Sequence, residues 1–505
     1  MAEEIELKLT ASPAALAAVP AHPAITAAAG GRARTTHMIS TYYDTPEREL
    51  AAAGVTLRLR QAGRQWLQTV KGAGGAAAGL HRRTEFEWRL AQPRVDAVKL
   101  ARTPWRKLFA QHASHCKPVF ATAVRRRAQP LAFADGTQAT LCIDVGEIRA
   151  GRRRAPLTEI ELELGRGDPA RLFDIAAVLV ADLPARVTVA SKAQRGYALA
   201  SGATPEPRRA RTVPLDPQVG TMQALAAIGG DCIAQLEVNA EALLGSNDPE
   251  FLHQIRVGWR RLRSLLKLAA LLVPAEALAP LEAELDWLGT ALGPARDCDV
   301  FAAETLPRIA AHFRGQPDIV RLRARVARRR RQLRAAARDA LAAPRFQQLL
   351  LALGAFFVKL PGFSPAEGSG SLARDWIPPL LQERHRKLRK RIRHIHRLQA
   401  AERHRARVAA KKLRYAAEFF APLFSAKRAQ EYIAALSKLQ GALGRLHDLE
   451  VAARLLDESV PAAAAPDLAH ARGIVRGWLA ASTAPELKKL REARRRFAQC
   501  EPFWN

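Results

Sequence analysis

Glu4, Glu6 and Lys8 alternate with Ile5 and Leu7 near the start of the chain. Side chains of a β-strand alternate faces with period two. The two carboxylates and the ammonium therefore share one face, and the aliphatic pair takes the other. Such a row suits a dry core poorly and suits a hard divalent cation beside an anionic substrate well. A second stretch carries the same alternation with three acids, Glu159, Glu161 and Glu163, around Ile160 and Leu162. Bases form rows of their own: Arg58 with Arg60, Arg125 with Arg127, and His81 with Arg83, followed on that face by Glu85 and Glu87. Lys71 ends a strand-like run at a glycine turn, and Lys192 and Arg195 sit in Ser191-Lys192-Ala193-Gln194-Arg195-Gly196-Tyr197. Acids for a metal ion and bases for phosphate oxygens are the ingredients of metal-assisted phosphoryl transfer.

These residues need a frame that turns the rows toward each other. Residues 1–200 contain short alternating runs, at 55–60, 66–71, 84–88 and 139–144, several of them separated by glycine-rich or Asp-Gly turns. Regular short strands of this kind predict an antiparallel barrel, with helices near 12–18 and 169–182. For any one strand, a solvated charged face is the commoner arrangement. Here Ile5/Leu7, Phe86/Trp88 and Ile160/Leu162 sit opposite charged rows. If those apolar faces pack outside, the charges line the lumen. A charged lumen is tolerable only if acids and bases compensate each other, or if ligands complete it. No Gly-x-x-x-x-Gly-Lys-Ser/Thr run is present, and the Gly72–Gly79 stretch reads as a hairpin loop rather than a phosphate-binding loop.

Residues 201–220 hold four prolines and no periodicity, as expected of a linker. Beyond them the pattern is helical and rich in Ala, Leu and Arg, with a second break at 361–371 that separates halves at about 221–360 and 374–505. The halves repeat. His253-x-x-Arg256-Val257-x-x-Arg260-Arg261-Leu262-Arg263 returns 151 residues later as His404-x-x-Arg407-Val408-x-x-Lys411-Lys412-Leu413-Arg414. The same offset carries Leu288, Gly293 and Asp297 onto Leu439, Gly444 and Asp448, and Arg296 onto His447. On a helix, positions i, i+3, i+7 and i+10 fall within an arc of about 80°. Each half thus presents one basic face led by a histidine, and the two faces could converge on a shared groove. More basic helices are expected at 321–338 and at 384–397, the latter with His385, His394 and His396.

The net charge of +31 predicts a polyanionic partner. Nucleic acid is the less favoured one, because few aromatic residues lie near the basic faces and no known nucleic-acid-binding motif appears. No apolar run reaches membrane-spanning length, and the acidic, strand-like start is not that of a signal peptide. The five cysteines are scattered without a Cys-x-x-Cys pair, which predicts neither a zinc site nor a disulfide framework and makes a reducing cytoplasm the expected location.

Taken together, the motifs of residues 1–200 resemble the CYTH, or triphosphate tunnel metalloenzyme, superfamily. Glu4-x-Glu6-x-Lys8, Tyr42-Tyr43-Asp44-Thr45, Leu57-Arg58-Leu59-Arg60, Thr69-Val70-Lys71-Gly72, Asp144-x-Gly146, Glu159-x-Glu161-x-Glu163 and Ser191-Lys192-x-x-Arg195-Gly196-Tyr197 follow the family's order. The repeated His-x-x-Arg-Val helices resemble the CHAD domain, and the combination is similar to bacterial CYTH–CHAD inorganic triphosphatases. The resemblance implies an α+β chain, with an eight-stranded tunnel at 1–200 and an all-α duplicated bundle at 221–505. It implies Mg²⁺ or Mn²⁺ on Glu4, Glu6, Glu159 and Glu161, joined by Asp144 and Glu163; alternation leaves open which two of the last three glutamates ligate directly. Glu4, Glu6, Lys8 and Glu161 become the catalytic set. Lys8, Arg58, Arg60, Lys71, Arg83, Arg125, Arg127, Lys192 and Arg195 become phosphate ligands. Inorganic triphosphate is the implied substrate. Inorganic polyphosphate is the implied partner of His253, Arg256, Arg260, Arg263, Arg296, His404, Arg407, Lys411, Arg414 and His447, and polyphosphate granules a place where the chain would act. Two alternatives remain: a non-catalytic polyphosphate-binding or granule-targeting protein, and a tunnel enzyme acting on thiamine or nucleoside triphosphate.

Overall fold

The computed structural model describes residues 2–72, 74–363, 372–395, 399–461 and 466–504. Most of the break at 361–371, and His396, lie outside the described residues. The chain divides into two compact units, residues 1–207 with 343–359, and residues 208–342 with 360–505.

Among the described residues the first unit has ten strands: β1 Ala2–Ala11, β2 Arg34–Asp44, β3 Thr56–Ala62, β4 Gln65–Lys71, β5 Gly75–Ala77, β6 Leu80–Leu90, β7 Lys117–Ala132, β8 Gln138–Ala150, β9 Arg153–Arg166 and β10 Ala185–Val187. All pairings are antiparallel. Eight strands run in the order β1-β9-β8-β7-β2-β3-β4-β6, and β6 returns to β1 to close the barrel. β10 pairs with the end of β1, and β5 with β6. The alternation of β1 sets the register of charge across this closure. Glu4 and Glu6 face Arg83 and His81 of β6, while Glu6 and Lys8 face Glu163 and Glu161 of β9.

The other face of β1 and β9 is apolar. Leu7, Leu9, Ile160 and Leu162 are fully buried, and the helix Ala170–Asp182 packs on these strands. Each such side chain contributes about 1.5–3 kcal/mol on burial, which commits the charged row to the lumen. The helix Pro344–Lys359 packs along Ala170–Asp182 in turn. It therefore belongs to the barrel unit, although its sequence reads as part of the helical repeat. The reason is its composition. Leu349 to Phe357 is apolar almost all round, and Gly354 lies so close to Phe173 and Ala78 that a Cβ would meet them at 2.4 and 2.6 Å.

Two further glycines mark close approaches. A Cβ on Gly146 would stand 2.0 Å from the Ala123 carbonyl of the neighbouring strand, and one on Gly196 would enter the Phe120 ring. The second lets the helix Lys192–Ser201 settle against β7. Its Tyr197 hydroxyl donates to Asp44 at 2.9 Å. Asp44 also accepts from the amides of Thr45, Leu50 and Ala51, so it is a structural cap and lies outside the charged site.

The second unit is helical. The linker beyond residue 202 is extended, and its later part is tied to the helix Thr221–Gly245 through Arg208 and Arg211 on Asp231, at 3.0 and 2.7 Å. Four long helices, Thr221–Gly245, Pro249–Ala269, Ala275–Val300 and Pro317–Ala342, are followed by four more, Ala373–Ile392, Ala400–Phe420, Ala426–Ser459 and Ala469–Ala498. Adding 151 to 249 and 269 gives 400 and 420, so the motif offset carries one basic helix onto the other residue for residue. These two helices contact each other, as do Ala275–Val300 and Ala426–Ser459. Among the described residues no single helix is long and apolar enough to cross a membrane.

Candidate functional site

The barrel encloses a cavity of about 190 Å³. β1 supplies Glu4, Glu6 and Lys8 to its wall, β3 supplies Arg58 and Arg60, β4 Lys71, and β6 Arg83, Glu85 and Glu87. β7 adds Arg126, and β9 adds Glu161 and Glu163. Lys192 enters from the first turn of Lys192–Ser201, where Ser191 and Gln194 form a reciprocal capping box. Tyr42 and Ala193 of the wall belong to an apolar cluster with Phe120, Val124, Ile148 and Leu157.

The charges are interleaved. Lys8 bonds Glu161 and lies 3.0 Å from Glu6. Lys71 reaches both oxygens of Glu4 at 2.6 Å. Arg126 grips Asp144 with two bonds of 2.8 Å, holds Glu163 at 2.9 Å and also bonds Glu161. The Lys192 ammonium sits among Glu159, Glu161 and Asp144 at 2.6, 2.8 and 2.9 Å. Arg195 completes the set on Glu159 at 2.7 Å.

The proton affinities follow from this mixture. Burial opposes the charge of Glu6 most strongly, but the surrounding cations, Lys8 first and then Lys71, together outweigh it and hold the carboxyl down at about 2. Burial likewise opposes the charges of Lys8 and Lys192, and their carboxylate neighbours keep both ammoniums protonated well beyond the usual lysine range. Glu4 differs: burial first, with the neighbouring Glu6 and Glu85, raises its carboxyl against the opposing pull of Lys71. Burial, with Lys8 and Arg83 nearby, drives His81 to about 3, so its ring is neutral. Arg60 is the under-compensated cation. Burial together with Arg58 and Arg126 pushes it down to about 10. Arg58 has a buried Nε with no partner among the described residues. Both line the cavity.

Two carboxylate groups bring their oxygens within 4.8 Å: Glu6 with Glu161 and Glu163, and Asp144 with Glu159 and Glu161. An all-oxygen donor set of this kind fits Mg²⁺ or Mn²⁺. The two differ in access. Glu6, Glu161 and Glu163 line the cavity, whereas Asp144 and Glu159 are fully buried behind it and hold Lys192 among them.

β7 departs from expectation. Arg125 and Arg127 are exposed on the outer surface, and Arg126 is the lumen residue. Phe120, Thr122 and Val124 share its face and are buried. No helix is needed over the opposite face, so there the ordinary solvated arrangement holds. Of the other expected phosphate ligands, Lys8, Arg58, Arg60, Lys71, Arg83 and Lys192 line the lumen, whereas Arg195 does not reach the cavity wall and is held by Glu159 and the Pro156 carbonyl. Of Tyr42, Tyr43, Trp66 and Trp88, only Tyr42 reaches the cavity wall, and its ring is stacked on Phe120 at 4.4 Å.

In the helical unit the two repeated faces converge. Arg260 donates to the Tyr415 hydroxyl across the repeat at 3.2 Å. Burial and the cations Arg407, Arg260 and Arg256 depress Lys411 to about 7. Burial first, then Arg260, lowers Arg256 to about 10, and burial with Arg260 lowers Arg407. Arg256 Nε, Arg407 Nε and His253 Nδ1 are buried without partners among the described residues. Burial, with Arg296 nearby, holds His253 at about 4, so it is neutral, and His447 is lowered by burial and Arg407. The His404 and His447 rings lie 5.8 Å apart. Arg296 approaches Glu304 at 3.7 Å. Arg263 and Arg414 stand at the edge of this cluster and are engaged, Arg263 with Asp286 at 2.7 Å and Arg414 with Gln440 and Glu418 at 2.8 and 3.0 Å.

A CYTH-domain family model matches residues 2–197, and a CHAD-domain model matches residues 227–457. The chain carries a CYTH domain followed by a CHAD domain. An inorganic triphosphatase of Haemophilus influenzae is 32% identical over 203 residues, which cover 40% of this chain and 56% of that protein. The match thus spans little more than half of that relative's length. The crystal structure of a CHAD domain from Ricinus communis is 38% identical with a TM-score of 0.51, covering 57% of this chain and 96% of that one. A putative adenylyl cyclase from Hippeastrum, described as having a dominant triphosphatase activity, is 19% identical with a TM-score of 0.29, covering 39% of this chain and 96% of that one.

Sequence reasoning missed Arg126 in the CYTH domain, although the buried row Phe120-x-Thr122-x-Val124-x-Arg126 was there to be extended. It also missed the capping box, whose signal is the Ser191-x-x-Gln194 spacing.

Proposed function

We propose that the CYTH domain hydrolyses inorganic triphosphate to pyrophosphate and phosphate with a divalent cation, and that the CHAD domain binds inorganic polyphosphate. The observation that carries the enzymatic reading is the cavity wall. Seven cations (Lys8, Arg58, Arg60, Lys71, Arg83, Arg126, Lys192) and six carboxylates (Glu4, Glu6, Glu85, Glu87, Glu161, Glu163) surround about 190 Å³. Cavities for drug-sized organic ligands run from about 300 Å³ upward, and the one aromatic ring on this wall already has its face on Phe120. Both points favour a bare triphosphate over a thiamine or nucleoside triphosphate.

Glu6, Glu161 and Glu163 would hold the cation at the cavity, with Glu4 nearby. Asp144 and Glu159 instead anchor Lys192 and Arg126 or Arg195. A bound divalent cation supplies Lewis-acid polarisation of the phosphoryl oxygens. The remaining steps fall to the chain. Arg58, Arg60, Arg83, Arg126, Lys8 and Lys71 take the phosphate oxygens, the arginines in a bidentate manner and the lysines as point charges. As water attacks the terminal phosphorus and the bridging P–O bond breaks, these cations neutralise the charge gathering on the leaving pyrophosphate. Glu4, a wall carboxylate whose proton affinity is raised, would accept the proton of the attacking water once Lys71 turns to the phosphate oxygens.

For the CHAD domain, the convergence of Arg256, Arg260, Arg407 and Lys411, with buried donors left unpartnered, supports a polyanion at the centre of the duplicated face. The test is competition between labelled polyphosphate and duplex DNA at several salt concentrations. Preference for polyphosphate at physiological salt is expected; equal displacement by DNA contradicts it.

A further inference from the structure

The segment Pro344–Lys359 lies outside the matched CYTH residues and inside the matched CHAD residues, yet it packs within the barrel unit. Its contacts there are specific. Gln347, 5% exposed, accepts a hydrogen bond from the Val187 amide of β10 at 3.0 Å. Seven residues on, and so two turns along the same helix face, Gly354 abuts Ala78 and Phe173.

Val187 and Ala78 have one thing in common, which is Lys8. Val187 pairs with Leu9. The next amide, Thr188, donates to the Lys8 carbonyl at 3.2 Å, and the Lys8 amide donates to the Gly79 carbonyl at 2.9 Å. A Cβ on Gly79, whose φ is +74, would strike both Val187 and the Lys8 carbonyl. The Lys8 backbone is thus clamped between the end of β10 and the 78–79 turn, and a single helix touches both jaws.

We propose that the helix Pro344–Lys359 is a working part of the tunnel, with Gln347 and Gly354 acting as positioning residues that set the backbone of the phosphate-contacting Lys8. The chain enters and leaves this helix through residues of the helical unit, 208–342 before it and 360–505 after it. Residues assigned by sequence to the CHAD domain would therefore set the substrate affinity of the CYTH domain. This rests on the triphosphatase reading for its kinetic half only.

The test uses the full chain and the variants Gln347→Leu, which deletes the acceptor, Gln347→Glu, which retains one, Gly354→Ala, and the exposed control Gln348→Ala. Amide hydrogen exchange is read at Val187, Thr188 and Lys8, and kcat and KM are read with inorganic triphosphate. Gln347→Leu is expected to speed exchange at these three amides at least tenfold relative to the rest of the barrel. It should raise KM about fivefold or more with a smaller change in kcat. Gln347→Glu should recover most of both effects, Gly354→Ala should resemble Gln347→Leu, and Gln348→Ala should change neither. Unchanged exchange in Gln347→Leu, or faster exchange with unaltered KM, overturns the proposal. The exchange readout needs no turnover. A chain that hydrolyses no triphosphate but loses protection at Val187 in Gln347→Leu would contradict the enzymatic reading and leave the helix assignment standing.

Discussion

Replacing Arg126 by methionine separates the lumen of β7 from its outer face. The Arg126 guanidinium makes two 2.8 Å bonds to Asp144, one of 2.9 Å to Glu163, and a further bond to Glu161. The Asp144 and Glu161 side chains are 0% and 3% exposed. Removing one partner from a buried pair costs about 3–5 kcal/mol, because the carboxylates left behind are uncompensated. At 1.4 kcal/mol per decade this is roughly a hundredfold to several thousandfold faster exchange of the protected β7–β8 amides. Alanine at Arg125 or Arg127, both exposed, should stay within about 0.5 kcal/mol of wild type. Native-state hydrogen exchange is the suitable assay, since a chain of two units does not unfold as one two-state transition. Mg²⁺ should restore part of the loss in Arg126→Met, because a cation can enter among the same carboxylates. Saturation at a hundred times Kd is worth about 2.7 kcal/mol. A neutral Arg126→Met, or loss of stability and activity in the Arg125 or Arg127 variant instead, would overturn the placement of Arg126 in the lumen.

Further outcomes follow from the two units. Glu6→Gln should lower triphosphate turnover at least a hundredfold while leaving polyphosphate binding intact in an equilibrium titration; retained turnover would remove Glu6 from the metal-binding set. Changing Arg256 and Arg407 together to Glu should do the opposite, abolishing polyphosphate binding with little change in kcat. The Lys411 ammonium, depressed to about 7 by burial, Arg407, Arg260 and Arg256, is recharged when a polyanion binds, so binding takes up a proton. Polyphosphate affinity should fall as pH rises through about 7, and Lys411→Arg should flatten that slope in titrations at constant ionic strength. Without ligand, the unfolded chain holds this proton up to the ordinary lysine value of 10.5 while the folded chain gives it up near 7. Lys411 therefore penalises the fold below pH 7, and the penalty is relieved as pH rises between about 7 and 10.5.

How far the sequence reached depends on how tightly each face was constrained. β1 and β9 were legible because both faces speak: the aliphatic residues demand a cover, which the helix Ala170–Asp182 supplies, and the acids are left with the lumen. The three consecutive arginines of β7 give no such contrast. Sixteen residues long, that strand carries two of its arginines on a solvated face, and only the buried row from Phe120 points to Arg126. The duplication was legible because one offset fixes both copies, and that offset carries Pro249–Ala269 onto Ala400–Phe420. The placement of Pro344–Lys359 was not. A helix apolar nearly all round announces burial without naming its partner, and Gly354 reveals a close approach only once Phe173 and Ala78 are beside it. The acids behind the lumen show the same limit. Alternation places Glu159, Glu161 and Glu163 on one face, but only depth separates Glu159, held by Lys192 and Arg195, from the two that line the cavity.

The proposed reaction of this tunnel is hydrolysis of inorganic triphosphate with a divalent cation. Its most direct test is phosphate release by the full-length chain from inorganic triphosphate, ATP, thiamine triphosphate and long-chain polyphosphate, with Mg²⁺ or Mn²⁺ and with EDTA. The prediction is metal-dependent release that is fastest from inorganic triphosphate, one phosphate and one pyrophosphate per turnover, and none in EDTA. Absence of hydrolysis with either metal, or release that persists unchanged in EDTA, would contradict it.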